Sequence, residues 1–145
     1  MTTHNPTLTG QLTDIPPYQP RRQWRSQMLP VRNMQYHLRS WEPEQPNRDL
    51  PLLVLAHGWM DVAASWQFVV DAFSEAFAQG RRIVAHDWRG FGLSRPQVAC
   101  DSYYFTDYLA DLDMLLEQLS PDAPVDLVGH SMGGNISCWY AGARA

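Results

Sequence analysis

The feature that most constrains the fold is the run Gly129-His130-Ser131-Met132-Gly133, which lies between an apolar stretch and a segment of small residues. The stretch Val125–Val128 is typical of a strand buried in a parallel sheet, and Met132–Ala145 indicates the start of a helix. A strand that turns directly into a helix leaves no room for side chains two residues before and after Ser131, so glycine is expected there. The turn should lift the Ser131 hydroxyl above the sheet edge, at the positive end of the helix.

Two other short apolar runs, Leu52–Ala56 and Ile83–Ala85, predict further buried strands. Helical stripes of apolar residues separate the runs. The first stripe is Trp66, Val69, Val70, Phe73 and Phe77, with Gly80 as its stop; the second is Tyr108, Leu112, Leu115, Leu116 and Leu119, with Thr106 as its N-cap. Strands that alternate with helices in this way predict a mostly parallel sheet of βαβαβα units.

The N-terminal part has a different character. Residues 1–22 are polar and rich in proline, which predicts a flexible arm outside the folded domain of residues 23–145. Residues 24–30 and 34–40 alternate well enough for two antiparallel strands, with a turn at Arg32-Asn33. The predicted fold class is therefore α/β, with an antiparallel strand pair followed by the parallel units.

Composition excludes several function classes. Of the 145 residues, 45% are hydrophobic and 18% charged, and the net charge is −4, which gives no basic surface for nucleic acid or a membrane. Cys100 and Cys138 are isolated from each other and from any histidine cluster, so we expect neither a metal site nor a disulfide framework. With no apolar leader in the first thirty residues, we expect a cytoplasmic protein.

Two more motifs follow the predicted strands. His57-Gly58-Trp59 comes directly after Leu52–Ala56, and Asp87–Ser94 (DWRGFGLS) follows the strand at Ile83–Ala85. Together with the serine motif, in this order from residue 51 onward, they resemble the α/β-hydrolase superfamily, and His57–Phe73 resembles its serine hydrolase and esterase branch. The resemblance covers the N-terminal half of that fold.

The resemblance implies roles for these residues. Ser131 would be the nucleophile that forms an acyl-enzyme with an ester, thioester or amide, and the backbone N–H groups of Trp59 and Met132 would form the oxyanion hole. The residues that shape the two turns would be His57, Gly58, Gly129 and Gly133. The Asp87–Ser94 loop would be architectural, and no cofactor or metal is implied. A serine at 131 argues against the branches that use an aspartate nucleophile.

The rest of a catalytic triad is missing from the sequence after Ser131. In this family the acid and the histidine follow the nucleophile, but Met132–Ala145 contains no Asp, Glu or His. The available histidines are His4, His37, His57, His86 and His130, and none is placed well enough to act as the base. We therefore expect a hydrolase domain truncated before the acid and histidine, inactive by itself.

An alternative function stays open. The chain could be a catalytically inactive fragment, or one half of a split enzyme, that acts as a binding module. Its partners would then be a complementing C-terminal half or a second copy paired along the exposed edge of Val125–Val128, whereas the complete enzyme would take a small acyl substrate. Such an edge also predicts low stability and a tendency to aggregate.

Overall fold

A computed structural model describes residues 16–100 and 102–144, which form one six-stranded sheet and four α-helices. The strands are β1 (Arg25–Val31), β2 (Met34–Trp41), β3 (Leu52–Ala56), β4 (Ile83–His86), β5 (Arg95–Pro96) and β6 (Val125–Gly129). The helices are α1 (Trp66–Ala72), α2 (Glu75–Ala78), α3 (Phe105–Leu119) and α4 (Met132–Arg144). The strand order β1-β2-β4-β3-β6, with β5 beside β2, is the predicted α/β fold.

The antiparallel and parallel parts of the sheet meet at β4. Strands β1 and β2 form the predicted hairpin, in which Val31 pairs with Met34 and Arg32 adopts a left-handed φ of 52° in the turn. Strand β2 is antiparallel to β4, whereas β3 is parallel to both β4 and β6. The two-residue strand β5, which pairs with β2 at Met34 and Gln35, was not predicted.

The register brings three strand ends together. Ala56 of β3 pairs with His86 of β4 on one side and with Gly129 of β6 on the other. The His57 and Asp87 motifs begin directly after Ala56 and His86, and the serine motif begins at Gly129 itself. Parallel pairing therefore collects all three at one edge of the sheet, which is where open α/β sheets bind ligands.

Apolar side chains cover both faces of the central strands. One cluster joins alternate residues of β2, β3 and β4 to α3 and α4, and the other lies under α1. At the sheet edge, Val125 and Leu127 of β6 pack on the first cluster, while Val128 is exposed and Asp126 pairs with Arg81. Strand β6 is thus an edge strand among the described residues, with one apolar face covered.

The sequence predicts one continuous helix from Trp66 to Phe77, which is wrong, because the structure has two helices there. Helix α1 ends at Ala72, Phe73 has an extended ψ of 141°, and Ser74 starts α2 by accepting a hydrogen bond from the N–H of Phe77 at 3.2 Å. The apolar stripe is also less buried than predicted, because Val69 and Phe77 are exposed. A serine followed by glutamate is a good N-terminal signal, and it breaks the helix here.

The buried face of α1 includes two polar residues. The indole N–H of Trp41 donates to Gln67 at 3.1 Å, and the backbone N–H of Arg22 donates to the Asp71 carboxylate at 2.8 Å. Tyr18 donates its hydroxyl to the same carboxylate. Residues 18–22 of the predicted arm therefore lie against α1, while residues 1–15 are outside the described residues.

Helix α3 begins earlier than predicted. Its N-cap is Tyr104 rather than Thr106, because the Asp107 side chain accepts a hydrogen bond from the N–H of Tyr104 at 3.3 Å. The predicted buried stripe is confirmed at Tyr108 and at the leucines 112, 115 and 116. None of the helices in the described part of the chain is long and apolar enough to cross a membrane.

Candidate active site

Ser131 lies on the turn that joins β6 to α4, and its backbone has a left-handed φ of 50°. The His130 N–H donates to the Ala56 carbonyl at 3.0 Å, and the Gly133 N–H donates to the His130 carbonyl at 2.9 Å. A left-handed serine costs about 1 kcal/mol or more, so the surrounding structure must hold it. The turn leaves Ser131 exposed just before the first residue of α4, where the helix dipole favours negative charge.

The glycines of the turn are sterically required. A Cβ atom on Gly129 would lie 2.4 Å from the carbonyl carbon of Gly133, and a Cβ atom on Gly133 would lie 2.2 Å from the Ala56 carbonyl oxygen. A Cβ atom on Gly58 would lie 3.2 Å from the Ser131 Cβ. The His57-Gly58-Trp59 turn and the serine turn are therefore in direct backbone contact, as the parallel register of β3 and β6 requires.

His57 holds the first of these turns to the end of β4. The side chain is fully buried, and its Nδ1–H donates to the Gly58 carbonyl at 2.7 Å. Its Nε2 accepts from the Trp88 backbone N–H at 2.9 Å, and the Trp88 indole N–H donates to the His57 carbonyl at 2.9 Å. Burial lowers the pKa of His57. Both ring nitrogens are occupied, so this histidine shapes the turn and does not reach the serine.

The two predicted oxyanion donors border Ser131. Met132 follows the serine in the chain, and Trp59 follows Gly58, whose Cα lies against the Ser131 side chain. Within residues 16–100 and 102–144, neither the N–H of Trp59 nor that of Met132 donates to a protein acceptor. The Trp59 ring is exposed and meets Phe91 edge-on, with 5.2 Å between the ring centroids.

Asp87 organises the loop after β4. Its carboxylate accepts the backbone N–H groups of Ala63 at 2.6 Å and Leu93 at 2.8 Å, and it contacts Nδ1 of His37 at 2.8 Å. Gly92 has a φ of 54°, and a Cβ atom there would lie 2.1 Å from the Asp87 carboxylate. The loop therefore has the architectural role that the sequence predicts.

Among the described residues, no histidine hydrogen-bonds to the Ser131 hydroxyl. His130 is exposed beside the serine, with its Nδ1 against Gly58. His57 and His86 are fully buried, and His37 binds Asp87 on another strand. His4 lies outside the described residues. Ser131 and the two residues predicted as oxyanion donors thus lie together, and no histidine of residues 16–100 and 102–144 reaches the serine hydroxyl.

The sequence motifs did not indicate a buried ion pair between the loop and α3. Arg89 donates from Nε and a terminal nitrogen to the two oxygens of Asp111, at 2.6 and 2.9 Å. The Tyr36 hydroxyl also donates to Asp111 at 2.7 Å, and Asp111 is fully buried. The available signal was a carboxylate within the apolar stripe of α3, next to Leu112, since a buried acid requires a partner.

His86 is a buried histidine at the end of β4. Its side chain is 0% exposed, and within the described part of the chain neither ring nitrogen makes a hydrogen bond. The ring meets Trp88 edge-on, with 4.2 Å between the centroids. Burial, and next the neighbouring His57, lowers the pKa of His86 to about 3. The folded protein therefore holds this histidine neutral.

We expect the neutral His86 to make the fold sensitive to acid. The unfolded chain takes up a proton on His86 at the ordinary pKa near 6.5, and the folded chain does so only near pH 3. The free energy of unfolding should therefore decrease as the pH is lowered from about 6.5 to about 3. The loss approaches ~1.4 kcal/mol per pH unit for one proton. Denaturant unfolding at pH 7 and pH 4.5 measures it. His86→Leu should reduce the difference between the two pH values, whereas His130→Gln, at an exposed site, should not; an equal loss in wild type and His86→Leu would contradict the prediction.

Comparison with known proteins places this geometry in a family context. The family model described as alpha/beta hydrolase fold matches residues 51–144, which include all three motifs. The chain is 34% identical over 93 residues to a probable oxidoreductase EphD of Mycobacterium tuberculosis, covering 64% of this chain and 15% of that protein. It is 31% identical over 99 residues to a serine hydrolase-like protein of Dictyostelium discoideum, covering 68% of this chain and 26% of that protein.

A solved structure is similar over most of the described residues. The epoxide hydrolase of Solanum tuberosum superposes with a TM-score of 0.68 at 26% identity, covering 84% of this chain and 36% of that one. The chain therefore spans well under half the length of the proteins that it resembles.

Proposed function

The chain belongs to the α/β-hydrolase fold family, and from that premise we propose that Ser131 is the nucleophile of a hydrolase that cleaves esters, thioesters or amides. The observation that supports the proposal is the turn itself. An exposed serine with a φ of 50°, at the start of α4 and between two glycines that admit no side chain, is arranged to present its hydroxyl.

The proposed reaction is acyl transfer to Ser131. The hydroxyl oxygen attacks the carbonyl carbon, and the leaving group departs with a proton to leave an acyl-enzyme that water hydrolyses. The N–H groups of Trp59 and Met132 would stabilise the oxyanion, and one such donor typically contributes on the order of 3 kcal/mol. The exposed Trp59 and the half-buried Phe91 would supply apolar contacts for the acyl group.

The reaction needs a base that the described residues do not supply. A serine hydroxyl is a weak nucleophile until its proton is removed, and none of the described histidines hydrogen-bonds to it. We propose that an acid–histidine pair comes from residues outside the described ranges or from a second polypeptide. Within the described residues, the site can bind and polarise a carbonyl group but lacks the group that activates Ser131.

The residue at position 131 favours acyl substrates over epoxides. Attack of Ser131 on an epoxide would leave an alkyl ether, which has no carbonyl carbon for water to attack, and the enzyme would not turn over. Attack on an ester leaves an acyl group that water removes. We therefore expect ester hydrolysis, although the Solanum tuberosum protein is an epoxide hydrolase.

Chemical rescue tests this proposal. The chain should release p-nitrophenol from p-nitrophenyl butyrate faster than Ser131→Ala when free imidazole replaces the missing base, after subtraction of the reaction of imidazole alone. A fluorophosphonate probe should label Ser131 under the same conditions. The matched control is Ser65→Ala, which removes another exposed serine. Equal rates for the chain and Ser131→Ala, with and without imidazole, would contradict the nucleophile assignment.

A second candidate function is binding without catalysis. The observation in its favour is the absence of a base at Ser131 within the described residues, together with the one-sided pairing of β6. In this case the partner would be a complementing hydrolase half or a second copy that pairs along β6. Ester turnover that appears only with a second polypeptide would support the split enzyme, and no turnover in any mixture would support the binding module.

A further inference from the structure

A chain of three hydrogen-bonding side chains runs from the β1–β2 hairpin to the loop after β4, with the hairpin at the opposite edge of the sheet from β6. The Ser26 Oγ lies 2.6 Å from Nε2 of His37, and Nδ1 of His37 lies 2.8 Å from the Asp87 carboxylate. A carboxylate only accepts hydrogen bonds, so Nδ1 carries a proton, and in the neutral imidazole Nε2 accepts from the Ser26 hydroxyl. This is the order of contacts in which a histidine removes the proton of a serine.

The fold holds these groups rigidly. Ser26 pairs with Arg39 and Met28 with His37 across the hairpin, which places Ser26 and His37 diagonally on one face. The His37 backbone N–H donates to the Ser94 hydroxyl at 2.9 Å, and that hydroxyl donates to the Asp87 carbonyl at 2.6 Å. The base and its acid are thus fixed from two separate segments of the chain.

The three side chains, Ser26, His37 and Asp87, differ in their exposure to solvent. Ser26 is exposed, whereas His37 is 7% and Asp87 2% exposed. A reagent can therefore reach the hydroxyl while the histidine and carboxylate stay shielded from water. A purely structural serine on this strand would not require a buried base with its own buried acid.

Arg39 provides a cation next to the serine. It is the cross-strand partner of Ser26, is 9% exposed, and its guanidinium stacks on Trp24 at 3.6 Å from the ring centroid. Within the described residues its Nε is buried without a hydrogen-bond partner, and no carboxylate forms an ion pair with it. A buried donor of this kind is costly unless a ligand satisfies it.

We propose that Ser26 is a second reactive serine, activated by His37 and Asp87, which takes the acyl group of a carboxylic ester that carries an anionic group bound by Arg39. The Ser26 oxygen attacks the carbonyl carbon, and its proton passes to Nε2 of His37. The bond to the leaving oxygen then breaks, and that oxygen takes the proton from Nε2. The products are an ester on Ser26 and a free alcohol, and water restores the serine by the same route.

The experiment uses the full chain carrying Ser131→Ala, so that the proposal does not depend on the function of Ser131. The probes are 4-acetoxybenzoate, which is anionic, and its neutral methyl ester. Peptide mass spectrometry follows acetylation of Ser26 against that of Ser65, an exposed serine whose hydroxyl donates to Asp61 and has no histidine partner. We expect Ser26 to react at least about tenfold faster than Ser65, because a positioned base accelerates such a reaction by a hundredfold or more.

Two further variants separate the base from the cation. His37→Gln should lower the acetylation rate of Ser26 to that of Ser65, with circular dichroism as the check that the fold is kept. Arg39→Gln should lower the acetylation rate with the anionic probe more than the rate with the neutral ester, and so reduce the preference for the anionic probe. Equal acetylation rates at Ser26 and Ser65 in the chain carrying only Ser131→Ala would overturn the proposal. An unchanged acetylation rate of Ser26 in a folded His37→Gln protein would also overturn it. An unchanged preference in Arg39→Gln would overturn the anion site.

Discussion

Replacing Asp111 with alanine should lower the free energy of unfolding by about 3–5 kcal/mol, the usual cost of removing one partner of a buried ion pair. The carboxylate is fully buried and accepts from Arg89 at 2.6 Å and from Tyr36 at 2.7 Å. Burial lowers the pKa of Arg89, but the carboxylate outweighs this and raises it overall, so the guanidinium stays charged. Without Asp111 the buried guanidinium keeps only a longer contact with the Asp107 carboxylate, at 3.6 Å.

A neighbouring aspartate provides the control. Asp113 lies two residues away on α3 and pairs at 3.4 Å with Arg144, and the two side chains are 43% and 64% exposed. Asp113→Ala should therefore cost no more than about 1 kcal/mol. The double change Asp111→Leu with Arg89→Met removes both charges and should cost less than Asp111→Ala. Denaturant unfolding measures the free energy of unfolding of all three variants. An equal loss in Asp111→Ala and Asp113→Ala would show that the Arg89–Asp111 pair stabilises the fold no more than an exposed ion pair does.

Replacing Gly133 with alanine should lower the free energy of unfolding by about 3 kcal/mol or more, the upper range for overpacking. The added Cβ would lie 2.2 Å from the Ala56 carbonyl oxygen and 2.6 Å from that of His57. Both atoms belong to the backbone of the neighbouring turn, which cannot move aside as a side chain can. The serine turn must then separate from the end of β3.

The same helix contains the matched control. A Cβ atom on Gly142 would meet nothing within 4 Å, so Gly142→Ala should instead stabilise α4, by about 1 kcal/mol. Thermal or denaturant unfolding gives the opposite signs expected for the two variants. Fluorophosphonate labelling of Ser131 with imidazole should fall in Gly133→Ala and persist in Gly142→Ala. If both Gly133→Ala and Gly142→Ala stabilised the protein, the close contact between Gly133 and the end of β3 would be contradicted.

Short-range patterns predicted much of the fold. The three apolar runs became β3, β4 and β6 within one residue of their predicted ends, and the hairpin turn lies at Arg32-Asn33. The glycines at 129 and 133 also followed from the sequence. The clash at Gly129 is local, with Gly133 of the same turn, whereas the clash at Gly133 is with the backbone of Ala56 and His57. The local features depend on neighbours along the chain, which a sequence displays directly.

Errors arose where a polar group decided the local structure. Ser74 ended the predicted helix by starting α2, and Asp107 moved the start of α3 to Tyr104. In the first place the apolar stripe continued past the true end of α1, and in the second it began at Tyr108, three residues after the true start of α3. A stripe records which face could be buried, whereas the end of a helix depends on which side chain satisfies its free N–H groups.

By itself, the sequence determined the strand-turn-helix at Ser131, because turn sterics and apolar runs are local. It also determined the order of the motifs, and hence the family. Only the tertiary structure decided that Asp111 would neutralise Arg89, that His86 would be buried with no hydrogen-bond partner among the described residues, and that Ser26, His37 and Asp87 would form one chain of contacts. Asp111 lies 75 residues from Tyr36, and Asp87 lies 50 residues from His37. Contacts at such separations exist only after the sheet has set its register, so no local pattern could reveal them.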